Sequence, residues 1–170
     1  MKGSDLMRAS GEAAKREQQV DLLKALTEHP AWPISVYVDG MIPPSKNEYE
    51  RVYRHWAAKR DLRLLWATVL DAQLSSRAIE KGLLKDCATL GMPVILQVQI
   101  ARRRLLDDTA IYAGFEPIKD VLTLRHQDGL GWIADDRPSK CTTDVRQIKS
   151  DRQGTRIIIS PRLYKKVREP

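Results

Sequence analysis

The sequence predicts an α+β fold, with a small mixed or antiparallel sheet of about four strands packed against helices. Segments with helical and strand periodicity follow one another along the 170 residues in the order helix, strand, helices, strand, helix, strand, strand. The chain is 42% hydrophobic and 30% charged, a composition typical of a protein that buries a core. Its apolar runs are far shorter than the roughly 20 residues of a membrane-spanning helix, so no membrane partner is expected.

The first fifty residues predict a helix, a strand and a loop. Residues 10–29 form a polar amphipathic pattern that begins at Ser10 and ends before Pro30, which indicates an N-terminal helical arm over residues 1–30. Residues 34–38 alternate apolar and polar side chains, as in a half-buried strand. The segment IPPSKNEY that follows contains two prolines, a serine and an asparagine, which predict a rigid loop.

The middle of the chain predicts helices and a second strand. Helical periodicity extends from Glu48 to Gly82, with a break at Ser75-Ser76. The segment VILQVQIA, residues 94–101, alternates apolar and polar side chains over most of its length and predicts the second strand.

The last third predicts one helix and two strands. The helix is expected over Thr109–Arg125, and Pro117 predicts a kink or a restart within it. The strands are expected over Thr142–Lys149 and Thr155–Ser160. These elements predict a main domain over residues 31–160 and a basic C-terminal tail over residues 161–170.

The net charge of +7 comes from the last 34 residues, which hold ten Lys or Arg and three Asp or Glu. This asymmetry suggests a polyanionic partner, and the alternative is a well-solvated basic tail. A second basic cluster, Arg102, Arg103 and Arg104, leads into the acidic pair Asp107-Asp108. We expect phosphate contacts from these arginines and from basic residues after Arg137, including Lys140.

The cysteines and histidines argue against two classes of protein. Cys87 and Cys141 have no CxxC spacing, and the three histidines are not paired at ligand spacing, so a disulfide scaffold and a zinc hydrolase are not expected. No apolar segment follows the first charges, so no secretory signal is expected. A reducing compartment, the cytoplasm, is therefore predicted.

Two acidic pairs flank the predicted fifth element, the helix that follows VILQVQIA. Asp107-Asp108 lies where the strand gives way to this helix, and Asp135-Asp136 lies in the loop before the next strand. If the helix packs back on the sheet, both pairs can reach the same sheet edge. Converging carboxylates without histidine favour Mg²⁺ or Mn²⁺ and would suit phosphodiester hydrolysis. The ordinary alternative is a helix N-cap at Asp108 and turn residues at Asp135-Asp136.

Five segments in order resemble the RusA-like endodeoxyribonucleases, which are Holliday junction resolvases of phages and prophages. The segments are IPPSKNEY, RHWAAKRD, MPVILQVQIARRRLLDD, AGFEPIKDVL and GLGWIADDRP. The resemblance covers about residues 33–160, and the N-terminal arm lies outside it. It implies a RusA-like fold with an extra N-terminal helix, and a dimeric, Mg²⁺-dependent nuclease that cuts four-way DNA junctions in a bacterial or phage-infected host cell.

The resemblance also implies roles for individual residues. The family's aspartates correspond to Asp108 and Asp136, with Asp107 and Asp135 beside them as further metal ligands, and the helix aspartate corresponds to Asp120. The family's PPS-x-N loop, which is expected to contact DNA, corresponds to Pro43, Pro44, Ser45 and Asn47.

Three positions depart from the family pattern. Leu106 stands where the family has its first aspartate, Thr109 where it has an asparagine, and Glu116 where it has a lysine. Lys119, one helical turn after Glu116, is the predicted replacement for the missing catalytic cation. Three functions therefore stay open: a Mg²⁺-dependent junction-resolving nuclease, a DNA-binding protein of the same fold without nuclease activity, and, as the weakest of the three, an RNA-binding protein with a basic tail.

The remaining expectations concern aromatic residues and assembly. Trp132 is the strongest candidate for stacking on unpaired bases, whereas Trp56 and Trp66 are expected in the core. A four-way junction has approximate two-fold symmetry, which predicts a homodimer. Its expected face lies on the long helical region, at Trp66, Val69, Leu70 and Leu74, with packing inside one chain as the alternative.

Overall fold

The structure, a computed structural model, describes residues 3–123 and 129–162, with side chains from residue 14 onward. It divides into two units, Met1–Pro30 and Ala31–Pro170. The first unit contains helix α1, Gly3–Thr27. The second contains strand β1 (Ile34–Asp39), helices α2 (Lys46–Val52), α3 (Trp56–Gln73) and α4 (Ala78–Thr89), strand β2 (Val94–Arg102), helix α5 (Asp108–Leu122), and strands β3 (Cys141–Lys149) and β4 (Gly154–Pro161). The predicted end of the last helix at Arg125, and the tail beyond residue 162, lie outside the described residues.

The four strands form one mixed sheet in the order β1-β4-β2-β3. β2 and β3 are parallel, whereas β4 lies antiparallel between β1 and β2. The parallel pair requires a crossover, and α5 provides it. The predicted α+β class with a four-stranded mixed sheet is therefore confirmed.

The core of the second unit lies between one face of this sheet and the helices of the same unit. The inward residues of the two central strands alternate with more exposed ones and are almost fully buried: Val94, Leu96, Val98, Ile100, Ile157 and Ile159. Trp66, Leu70 and Leu74 of the α3 region are also buried, with exposed fractions of 1%, 0% and 0%. The predicted dimer face is therefore wrong at these three positions, because the chain covers them itself.

The predictions for Trp56 and Trp132 are both wrong as to burial. Trp56, expected in the core, begins α3 and is 73% exposed. Trp132, expected to stack on bases, is 1% exposed, and its backbone N–H donates to the Leu122 carbonyl at 2.9 Å. Trp132 belongs to the core because its loop folds back against the end of α5.

Helix α5 continues through Pro117, where a kink or restart was expected. Proline removes one helical hydrogen bond and costs about 3 kcal/mol in a helix interior. The helix buries a long apolar face that includes Ile111, Phe115 and Ile118, and each such side chain contributes roughly 1.5–3 kcal/mol. The burial of this face outweighs the lost bond. Within the described residues, no helix is both long and apolar enough to cross a membrane.

The loop before α2 packs directly against α5 at Gly114. A Cβ atom at Gly114 would lie 1.7 Å from the Pro44 carbonyl oxygen, so only glycine permits this approach. The contact places the start of α2 beside the first half of α5.

We expect Gly114→Ala to lower the free energy of unfolding by about 3 kcal/mol, because the new methyl group collides with backbone that a side-chain rotation cannot move. The matched control is Gly82→Ala in α4, where an added Cβ meets nothing within 4 Å. That change should stabilise the chain by about 0.5–1 kcal/mol. Urea unfolding measures both, and equal effects of the two substitutions would contradict the packing described for Gly114.

Candidate nucleic-acid interface

A cleft of about 250 Å³ lies where the loop before α2 meets the end of β2. We call it the arginine cleft, and the residues that line it are Ile42, Ser45, Glu48, Arg102, Arg103, Arg104, Leu106 and Gln153. The cleft brings together Ser45 and the arginine run, which lie more than fifty residues apart in the sequence. Both were predicted to contact DNA.

Arg102 supports the cleft from inside. The residue is 5% exposed, and its Nη2 donates to the Pro43 carbonyl at 3.0 Å. Burial lowers the pKa of its guanidinium, and the Glu48 carboxylate opposes that shift. Its Nε is buried without a hydrogen-bond partner. Arg102 is therefore much less accessible to a phosphate than its two neighbours, and its predicted phosphate contact stays a prediction.

Arg103 and Arg104 are the exposed cations of the cleft. The Nε of Arg103 is 3.4 Å from the Asp151 carbonyl, a long contact that leaves the rest of its guanidinium at the surface. Both arginines follow the strand end, where the chain leaves the sheet. Their positive charge is therefore presented to solvent, as the prediction of phosphate contacts requires.

The loop residues predicted to contact DNA have different surroundings. Ser45 is the N-cap of α2, and its hydroxyl accepts from the Glu48 backbone N–H at 3.2 Å. The Glu48 carboxylate accepts in return from the Ser45 backbone N–H, at 3.4 Å. Asn47 is exposed on α2 but does not line the cleft. Lys140, also predicted to contact DNA, donates to the Gly91 carbonyl at 2.6 Å.

The two residues of the first acidic pair, Asp107 and Asp108, have different surroundings. Asp107 is the N-cap of α5, where its carboxylate accepts from the Thr109 hydroxyl at 2.6 Å and the Ala110 backbone N–H at 2.7 Å. These two bonds, with the nearby charge of Lys46, hold the pKa of Asp107 below its usual range. Asp108 was expected to be the N-cap if the acidic pairs had only structural roles. It is instead the first residue of α5 and is exposed.

The second acidic pair is anchored by an arginine. Asp135 is 6% exposed, and one of its carboxylate oxygens lies 2.8 Å from Arg137 Nη2 and 2.9 Å from Arg137 Nε. The other oxygen accepts from the Arg137 backbone N–H at 3.1 Å. The Arg137 side chain is the main reason that the pKa of Asp135 is lowered to about 2.

Asp136 and Lys119 both lie near Cys141, at the start of β3. The pKa of the Cys141 thiol is raised, and burial is the main cause. The charge of Asp136 also raises this pKa, whereas the charge of Lys119 lowers it. The other cysteine, Cys87, is buried as well, and burial raises its pKa to about 11. Neither thiol is placed for nucleophilic chemistry.

The two acidic pairs lie at opposite ends of the sheet. Asp107-Asp108 follows the end of β2, whereas Asp135-Asp136 precedes the start of β3. Because β2 and β3 are parallel and in register, with Val94 opposite Cys141 and Arg102 opposite Lys149, the start of β3 is far from the end of β2. Each strand has nine residues and spans about 27 Å. The expectation that both pairs meet at one sheet edge is wrong, because α5 carries the chain back along the sheet.

The predicted carboxylates do not fit a Mg²⁺ or Mn²⁺ site within one chain. In the described part of the chain, no three His, Cys, Asp or Glu side chains are grouped so that they could hold a metal ion. Asp107 is engaged as a helix cap, and Asp135 is engaged with Arg137. Glu116 is exposed on α5, and Asp120, one turn later, is partly buried and raises the pKa of Tyr49, although burial is the larger cause of that shift.

Comparison with known proteins identifies no relative of this chain. The chain matches no protein-family model, no curated protein and no solved structure. The likeness to RusA-like nucleases therefore rests on the short motifs described above.

We expect Asp135→Asn to lower Tm at neutral pH, and the difference from the unmodified chain to disappear as the pH falls towards 2. The folded pKa of Asp135, about 2, lies below its value of about 3.9 in an unfolded chain. Its ionised form therefore stabilises the fold above about pH 4, and this contribution is lost as the pH falls through the folded pKa.

Circular dichroism melts at pH 6, 4 and 2 measure this difference. The control is Asp144→Asn, which removes the more exposed pair with Arg146 and should change Tm little at any of the three pH values. A Tm difference for Asp135→Asn that stays constant down to pH 2 would contradict the assigned ion pair.

Proposed function

We propose that the chain binds DNA, with the sugar-phosphate backbone held at the arginine cleft. The observation that supports this most directly is the joining of Ser45 and the Arg102–Arg104 run at one place on the surface. Phosphate contacts supply most of the affinity in DNA binding, and arginine is well suited to them. Arg103 and Arg104 provide the contacts, and buried Arg102 fixes the loop opposite them.

The DNA partner in this proposal is branched, and the protein binds it as a homodimer. The motif likeness to junction resolvases suggests a four-way junction, and the approximate two-fold symmetry of such a junction matches a symmetric dimer. Because Trp66, Leu70 and Leu74 are buried within the chain, the dimer face lies elsewhere. The cytoplasm of a bacterial or phage-infected cell is the compartment that this role requires.

Binding without hydrolysis is the function that the geometry favours. Within the described residues the carboxylates proposed as ligands lie at two ends of the sheet, and no metal group is formed. Junction cleavage with Mg²⁺ is the second candidate, and the exposed position of Asp108 beside the strand end that carries the arginines favours it.

A labelled four-way junction separates these two candidates. We expect the junction to be bound equally well in EDTA and in Mg²⁺, and to stay intact in both on a denaturing gel. Cuts that need Mg²⁺ and that disappear in Asp108→Asn would overturn binding as the sole function and establish the nuclease.

We expect Arg103→Ala/Arg104→Ala to weaken binding to duplex and junction DNA alike and to flatten its salt dependence. Each neutralised phosphate contributes about −0.9 to the slope of log affinity against log salt, so losing two contacts should reduce the slope by up to about 2. Fluorescence anisotropy between 50 and 300 mM salt measures it.

The charge-matched control for this pair is Arg60→Ala/Lys85→Ala, which removes two exposed cations of α3 and α4 that do not line the cleft. The control should keep the slope of the unmodified chain. If both double variants flatten it equally, the binding reflects overall charge and not the arginine cleft.

Light scattering tests the proposed assembly. The purified chain at micromolar concentration should have twice the mass of one chain. A monomer that stays monomeric on a four-way junction would contradict the dimer.

A further inference from the structure

A second cleft adjoins the arginine cleft, and its chemistry differs. We call it the apolar cleft. It has a volume of about 280 Å³ and is lined by Gly40, Met41, Ile42, Pro43, Pro44, Glu48, Tyr53, Leu62, Leu65 and Trp66. Ile42 and Glu48 line both clefts. The two clefts are therefore neighbours, on either side of these two side chains.

The walls of the apolar cleft suit a flat, largely apolar group. Leu62 and Trp66 are buried at its base, with exposed fractions of 5% and 1%. Leu65 lies at its opening and is 52% exposed, and Tyr53 adds a partly exposed aromatic ring. Glu48 is the one charged residue among the described residues that line this cleft, and its carboxylate is an acceptor for amino groups.

We propose that the apolar cleft takes one unpaired nucleobase of the DNA strand whose phosphate lies in the arginine cleft. This inference rests on the DNA-binding function proposed above. A nucleotide connects an anionic phosphate to a base with apolar faces, and the adjoining clefts present cations and apolar side chains in the same arrangement. The exposed Arg103 and Arg104, which line the arginine cleft, mark the phosphate side.

The base must be unpaired because a duplex covers both faces of each base by stacking. A base that leaves the stack can insert between aromatic and apolar side chains, and each such contact strengthens binding severalfold or more. Glu48 can accept a hydrogen bond from the exocyclic amino group of cytosine. Branch points, gaps and single-base bulges offer such bases, so the apolar cleft would make binding selective for disrupted DNA.

The test compares three DNAs of one length: a fully paired duplex, the same duplex with a single unpaired cytosine, and one in which that nucleotide is abasic. We expect the unmodified chain to bind the unpaired cytosine about tenfold more tightly than the paired duplex. The abasic DNA should bind like the paired duplex, because it keeps the bend and the phosphate but lacks the base.

The variant Tyr53→Ala/Leu65→Ser should abolish the tenfold preference and leave the affinity for the paired duplex and its salt slope unchanged. The matched control is Leu64→Ser, because Leu64 neighbours Leu65 on α3, is 38% exposed and does not line the cleft. That control should keep the preference. Circular dichroism melts establish that all variants are folded.

The outcomes separate this inference from the proposed function. Equal binding of the three DNAs by the unmodified chain would overturn the base site while leaving DNA binding intact. Equally tight binding of the unpaired-cytosine DNA and the abasic DNA, both above the paired duplex, would also overturn it. The chain would then recognise the flexibility of the DNA and not the base. No salt-dependent binding to any DNA would overturn the proposed function itself, and the apolar cleft would then suit an apolar protein segment.

Discussion

The hydrogen bond from the buried Arg102 guanidinium to the Pro43 carbonyl joins two distant parts of the chain. It attaches the loop before α2 to the end of the central strand β2. The next residue of that loop, Pro44, contacts α5 at Gly114, so the loop is fixed from two sides. Both clefts have this loop as a wall. A hydrogen bond to a charged group contributes about 1.5–3 kcal/mol, so the shape of the interface depends on this interaction.

The secondary structure was largely predictable because it follows from local patterns. The alternation in residues 34–38 and 94–101 identified β1 and β2, and the break at Ser75-Ser76 lies between α3 and α4. The sheet order was not predictable, because β4 inserts between β1 and β2 through pairings distant in sequence. Burial of Trp132 also depends on a loop that folds back on α5, which no local pattern reveals.

The candidate site was predictable in its parts but not in its assembly. Ser45 and the arginine run were identified from sequence, and the structure places them in one cleft. The buried role of Arg102 had a readable signal: it continues the inward alternation of Val98 and Ile100, so its side chain starts towards the core. The prediction that the two acidic pairs meet was wrong because β2 and β3 are parallel. The fifteen-residue helix α5 between them carries the chain back to the other end of the sheet, so the loop after β2 and the loop before β3 lie apart.

Two acidic residues near the arginine cleft, Asp107 and Glu48, have basic neighbours. Asp107 stays ionised where it caps α5, because the Thr109 hydroxyl and the Ala110 N–H lower its pKa, and the nearby charge of Lys46 partly offsets its negative charge. Glu48 faces the buried Arg102, whose charge it balances. The second acidic pair lies at the far end of the sheet, more than a Debye length away at physiological salt. Arg103 and Arg104 are the exposed cations among the residues that line the cleft, as the proposed phosphate contact requires.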